Sequence, residues 1–330
     1  MLVTSKVDAS FDKISNNRDN NGYIDLSDLN IKFDKESREK IGMADREKNW
    51  IEFSDGKVFL LKEENILDVE RNASVYSELI VEELAKQAGF ECAHYDLYKK
   101  DGKFGVLSEY CLKEGEEMFS LESLIGKDTL SEFDCEKTDA IKLQENMIEF
   151  LKDEGLEKNE IKKLIVEFQK RMVFDLFVMH SDRHTENVSF RTKCDDEGNM
   201  SIDFSPIYDN ENCLLLDMDE TTLDILSQNA GAIKDSTSII APRIAIVRDS
   251  SSNNEEIWKK TLDEYCELDP VYDYLMDLYD VLDIDAAFKN VEERIGAPIP
   301  QNAKRVAKYA FQYRKREIDK VMCLQDIDLT

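Results

Sequence analysis

No C-x-x-C pair occurs among the seven cysteines, which stand far apart at positions 92, 111, 135, 194, 213, 266 and 323. Neither a zinc knuckle nor a disulfide framework is signalled, and the thiols read as reduced and mostly structural. Long apolar runs are missing too, and the N-terminus has no basic start leading into an apolar stretch. The chain is therefore expected in the cytoplasm and not in a membrane. Basic clusters are the third absence. Lys and Arg number 43 against 71 Asp and Glu, a formal charge of -28, which argues against direct nucleic-acid binding and sets the chain against an anionic membrane surface. No internal repeat or low-complexity tract occurs.

What is present is a chain of 330 residues, 42% apolar and 35% charged, able to bury a core and long enough for two lobes around a cleft. Residues 1–45 are polar and acidic and read as an N-terminal extension. Within it Asn17, Asp19, Asn21, Asp25 and Asp28 put oxygens at positions 1, 3, 5, 9 and 12 around Gly22 at position 6. That is calcium-loop spacing, although Asn in first place and the short Asp in twelfth also suit a polar turn. From Trp50 the signals turn to β. Residues 50–53 and 57–62 around Asp55-Gly56 predict a hairpin ending on Lys62, and 95–100 with 104–110 around Asp101-Gly102 predict a second. Between them Tyr76, Leu79, Ile80, Leu84 and Ala88 recur at helical spacing, with Glu78, Glu82 and Glu83 interleaved. After residue 115 the chain reads as mainly helical, over 139–152, 158–179, 214–230, 253–290 and 301–325, with 236–252 a Ser-rich loop or short strand. The division that follows is an extension over 1–45, a small lobe over 46–112 and a larger lobe over 113–330.

Strand, strand with a terminal lysine, helix with a glutamate, then two more strands is the element order of a kinase small lobe. There the lysine meets nucleotide phosphates and the glutamate holds it. Taken alone, Lys62 reads as a solvated charge at a strand end. The chemistry lies further on, where an apolar run over 172–179 leads into His180-Ser181-Asp182-Arg183-His184-Thr185-Glu186-Asn187. Short strands over 187–191 and 200–204 then lead to Pro206-Ile207-Tyr208-Asp209. Phosphoryl transfer needs a carboxylate near the acceptor hydroxyl and oxygen ligands for magnesium, and Asp182, Asn187 and Asp209 have that spacing. A bland polar loop would instead pair Asp182 with Arg183 or a lysine. His180 and His184, four apart, offer a metal pair, but no H-E-x-x-H or third ligand accompanies them.

The block resembles the HipA family of bacterial serine/threonine kinases, whose D-R-H-x-x-N and P-x-Y-D elements are met by Asp182 to Asn187 and Pro206 to Asp209. Phosphoinositide kinases share the first element. The similarity runs in order over roughly residues 50–215. It implies an α+β, bilobal, protein-kinase-like fold, with a small mixed β lobe carrying one key helix and a larger, mainly helical lobe. It implies ATP and Mg2+ as cofactors, a protein substrate, and serine/threonine kinase activity with autophosphorylation. Asp182 would be the catalytic base, Asn187 and Asp209 the magnesium ligands, Lys62 the phosphate contact and Glu78 its partner, with Glu82 one turn on as the rival. Ser108-Glu109-Tyr110-Cys111 resembles the hinge that meets adenine, through the backbone of Glu109 and Cys111. Asp203 in Ile202-Asp203-Phe204 rivals Asp209 on the phosphoinositide-kinase pattern. Two departures stand out. Full-length HipA toxins carry an additional N-terminal subdomain where about 45 residues precede the first hairpin here, which leaves an antitoxin partner open. No glycine-rich loop is present, since Gly42 stands well upstream and Gly56 fits a turn. A catalytically silent kinase fold and a phosphoinositide or small-molecule kinase therefore remain as alternatives.

Overall fold

Six strands form the sheet that places Lys62 opposite the helix carrying Glu78. The computed structural model describes residues 5–29, 31, 48–63, 73–125, 138–194, 197, 200–246 and 253–328. The sheet comprises β1 (Ser5–Val7), β2 (Ile24–Asp25), β3 (Lys48–Phe53), β4 (Val58–Glu63), β5 (Tyr95–Lys100) and β6 (Lys103–Glu109), in the order β1-β3-β4-β6-β5-β2. Both expected hairpins form. The β5–β6 turn has φ of 51° at Asp101 and 81° at Gly102, the paired positive values whose twist matches a two-residue hairpin.

The polar start of the chain is part of this sheet. β1 pairs parallel with β3 and β2 parallel with β5, so residues 5–7 and 24–25 supply both edges. The calcium-loop spacing folds as a turn whose Asp19 and Asp25 carboxylates lie 3.0 and 3.4 Å from the Lys99 ammonium. Gly22 has φ of 84°, and a Cβ there would stand 3.0 Å from the Ile295 carbonyl oxygen. Close docking on a distant helix thus accounts for that glycine.

Across the sheet packs α2 (Ser74–Gln87), following the short α1 (Phe11–Ile14). Alternation along β4 sends Phe59 and Leu61 into a small apolar cluster with Val7, Phe11 and Phe53, and turns Lys62 to the opposite face. The larger lobe follows with β7 (Glu116–Ser120), α3 (Leu121–Ile125), β8 (Thr138–Asp139), α4 (Ala140–Asp153) and α5 (Lys158–Val178). A capping box between Glu157 and Glu160 starts α5, and Met179, left-handed at φ of 56°, ends it. That stop turns the chain out of the buried Phe174–Val178 run and into His180. β9 (Ser189–Cys194) and β10 (Met200–Phe204) form a three-stranded sheet with β7.

The remaining elements are α6 (Glu220–Ser227), α7 (Ala230–Ser238), β11 (Ile244–Ala245), α8 (Asn254–Cys266), α9 (Asp269–Val281), α10 (Ile284–Ile295) and α11 (Gln301–Asp328). The helix expected from 214 begins only at 220, because Leu214 and Leu215 are buried in left-handed conformation, with φ of 58° and 60°. The segment 253–290 is three helices, broken before Pro270 and at Asp283, whose carboxylate caps α10. Residues 236–238 are helical and 244–245 form a strand with β8, while 247–252 lie outside the described residues. One apolar cluster runs from Leu79 and Ile80 of α2 through Phe174 and Phe177 of α5 to Phe288 of α10 and Val306 of α11, so both lobes share a core. Among the described residues no helix is long and apolar enough to cross a membrane.

Candidate active site

Lys62, near the end of β4, is 5% exposed, and its Nζ lies 2.5 Å from Glu78 Oε1 of α2. It also meets Asp209 Oδ1 directly and stands 3.8 Å from Glu211 Oε2. Burial alone would lower this lysine's pKa, but Asp209, Glu78 and Glu211 outweigh it and hold it above the ordinary value, so the ammonium stays charged. Lys62 thus touches three carboxylates. Among the described residues these three carboxylates are the group whose oxygens lie together within 4.8 Å, close enough to hold a metal ion. An all-oxygen donor set suits a hard divalent cation such as magnesium.

The loop carrying Asp209 is fixed from two sides. Asn210 N donates to Glu78 Oε2 at 2.7 Å, and Ser77 Oγ donates to Asn210 O at 2.6 Å, which ties the loop to α2. Asp209 itself is left-handed at φ of 60°, a region aspartate tolerates better than bulkier residues, and its amide donates to Tyr95 Oη at 3.0 Å. On the other side stands the loop from 180 to 187. His180 Nε2 donates to Asp209 O at 2.9 Å and His180 Nδ1 accepts from Asp182 N at 3.1 Å. Burial pushes the His180 pKa well below its usual value, so the ring is neutral and bridges two backbones. Both ring nitrogens are thereby used, and a metal pair with His184 does not form.

Arg183 is not the partner of Asp182. It forks onto Asp175 of α5, at 3.0 Å from Nε to Oδ2 and 3.2 Å from Nη2 to Oδ1. The same guanidinium donates to Tyr208 O at 2.7 Å and Asn210 Oδ1 at 2.9 Å. One fully buried arginine therefore staples the Asp182 loop, the Asp209 loop and the preceding helix together. Asp182 has its Oδ1 2.7 Å from Arg243 Nε and its Oδ2 accepting from Asn212 Nδ2 at 3.2 Å. Asn187 donates through Nδ2 to Asp182 O at 3.2 Å, which leaves its side-chain carbonyl as the atom suited to a cation.

The rivals are placed elsewhere. Glu82, 1% exposed, lies 2.8 Å from Arg294, His94 and Lys86. Burial raises its pKa, but the His94 hydrogen bond and the Arg294 charge bring it down to about 2. Asp203 is exposed on β10 in register with Arg191 and is not among the clustered carboxylates. At the segment expected to be the hinge, Glu109 N donates to His94 O and Tyr110 N to Val58 O, both at 2.8 Å. The Glu109 amide is thus spent on the backbone just before β5. The Tyr110 ring stands edge-on to Trp50 at 5.5 Å, and Cys111 is partly buried. Gly56 lies in a turn whose Asp55 accepts from Ser10 Oγ at 2.8 Å, and Gly42 lies outside the described residues. Sequence reasoning passed over Asp175, Tyr95, Asn210, Glu211 and Arg243. Only Glu211 and Asn210, directly after Asp209, stood where a local signal was available.

Residues 37–267 match the model of the HipA-like C-terminal domain. The comparison with curated proteins gives no match. Among solved structures, the Helicobacter pylori proinflammatory kinase CtkA aligns with a TM-score of 0.68 at 18% identity, over 93% of this chain and 99% of that one. HipA of Shewanella oneidensis MR-1, in its complex with HipB and operator DNA, aligns with a TM-score of 0.50 at 16% identity, over 80% of this chain and 60% of that one. The fold is that of these kinases, and with its match spanning well over half of its length the chain belongs to the HipA-like C-terminal domain family.

Proposed function

We propose that the chain is a Mg-ATP-dependent serine/threonine protein kinase. The observation that supports this most is the convergence of Lys62, Glu78 and Asp209 on the Asp182 to Asn187 loop, with His180 and Arg183 locking the two loops in register. Magnesium, when bound, neutralises charge on the nucleotide phosphates. Asn187 and Asp209 would hold it, with Glu211 a further carboxylate nearby. Lys62 would shift from Asp209 to the phosphates while Glu78 keeps it in place. The Glu109 carbonyl and the backbone at Cys111 would face adenine. Asp182 would orient the acceptor hydroxyl and take its proton as the oxygen bonds to the γ-phosphorus and ADP departs. For that, Arg243 must yield Oδ1, while Asn212 keeps the carboxylate aimed.

Labelled ATP with the purified protein and a cell lysate is the test. Transfer by wild type to itself or to lysate proteins, on serine or threonine and lost in Asp182→Ala, is the expected result. No transfer by wild type, or equal transfer by the variant, overturns the reading. One observation favours a silent nucleotide-binding module: both Asp182 oxygens already face Arg243 and Asn212. Calorimetry showing ATP binding without turnover would select it. The HipA of the Shewanella complex assembles with HipB and operator DNA. Co-migration of this chain with a HipB-like protein would add an antitoxin partner to nucleotide, cation and protein hydroxyl.

A further inference from the structure

The helix that presents Glu78 is gripped at its far end by α10, which lies beyond the residues matching the family domain. Arg294 of α10 places Nη1 2.8 Å from Glu82 and 3.4 Å from Glu83. Asn290 Nδ2 donates to Glu83 at 3.2 Å. Gln87 completes the grip with a reciprocal pair, donating to Asp283 O at 3.0 Å and accepting from Asp283 N at 2.7 Å. Glu82 lies four residues from Glu78, one turn along the same face of α2. Below that turn, Ser77 and Glu78 hold the Asp209 loop.

Hydrogen bonding does not account for the placement of Arg294. Its Nε and Nη2 are buried without an acceptor, an arrangement proteins ordinarily avoid. What it supplies is a positive charge against the two glutamates of α2, in a chain where acidic residues greatly outnumber basic ones. A helix one turn long between Glu82 and Glu78 is stiff, so a shift at the Arg294 end displaces Glu78 relative to Lys62.

From this geometry we infer that Arg294, with α10, is a positioning residue that sets α2 so that Glu78 holds Lys62 and the Asp209 loop in register. The inference rests on the kinase reading for its effect on turnover but not for its effect on the helix. Full-length wild type, Arg294→Ala, Arg294→Lys and, as a control on the exposed face of α10, Lys289→Ala are compared in two measurements. In steady-state phosphate transfer, Arg294→Ala lowers kcat by about tenfold or more with a smaller change in KM for ATP, because misplacement of the lysine acts on the transition state. Arg294→Lys recovers most of the loss, and Lys289→Ala matches wild type. In hydrogen exchange, amides over residues 78–85 lose protection in Arg294→Ala while those of α11 do not. Wild-type kcat in Arg294→Ala, or a loss that Arg294→Lys does not rescue and that comes with loss of protection throughout, overturns the proposal. If wild type transfers no phosphate, the kinase reading fails on its own. Exchange over 78–85 then decides the inference: faster in Arg294→Ala supports it, and unchanged refutes it.

Discussion

Glu78 and Glu82 stand one turn apart on the same helix, both 1% exposed, yet they sit in opposite electrostatic settings. Around Glu82 and its neighbours Glu83 and Asp96 gather Lys86, His94, Arg294 and Arg18, so every buried carboxylate there has a cation of its own. Around Glu78 one lysine serves three carboxylates. The first cluster is closed and holds elements together. In the second, three carboxylates converge on Lys62, and their oxygens lie within 4.8 Å of one another. The difference is one of partners: several cations gather on Glu82, whereas Glu78 shares one lysine with Asp209 and Glu211, although the helix, burial and residue type are the same.

The largest effect is expected from removing the lysine of the Glu78 cluster. Lys62→Ala should abolish measurable phosphate transfer. It should also lower stability by about 3 kcal/mol, since breaking a buried pair strands the remaining charge. Urea unfolding of the variant checks this, and added Mg2+ should recover part of the loss, which a purely structural lysine would not allow. Next, Glu82→Gln should destabilise by a similar or slightly smaller amount, about 2–3 kcal/mol, with no rescue by Mg2+. A smaller effect distinguishes the clusters by pH. His94 in the closed cluster is held up to about 9; burial opposes this, but Asp96 and Glu82 overcome it. Its folded pKa lies above the unfolded value of about 6.5, so its contribution to stability is complete below pH 6.5 and is lost as pH rises through 9. The melting temperature should fall across that window and fall less in His94→Gln. Equal pH profiles for the two proteins would contradict the assignment.

Much of the small lobe was legible because hairpins and an amphipathic helix are local patterns. Alternation over 57–62 and helical spacing from Tyr76 to Ala88 need no distant partner to be read. The edge strands β1 and β2 were not legible, since two or three residues pairing in parallel with β3 and β5 leave no periodic trace. Leu214 and Leu215 misled for a related reason: a run of leucines reads as helix, while tertiary contacts hold these two left-handed. At the site, motif spacing pointed to Asp182, Asn187 and Asp209, and it is Asp209 rather than Asp203 that meets Lys62. What spacing did not reveal is the staple. Arg183 lies inside the motif, but its partners Asp175, Tyr208 and Asn210 are defined only by the fold. Arg243 reaches Asp182 from the position just before β11, and no local pattern links the two.

The most direct test of the central claim, that the Lys62, Glu78, Asp209 and Glu211 cluster is completed by a divalent cation with nucleotide, is calorimetric titration of ATP into wild type and Asp209→Asn, each with Mg2+ and with a chelator. Wild type should bind ATP at least about tenfold more tightly with Mg2+ than without, about 1.4 kcal/mol, and Asp209→Asn should lose most of that difference. Equal affinity of wild type with and without Mg2+, or an undiminished Mg2+ effect in the variant, would contradict it.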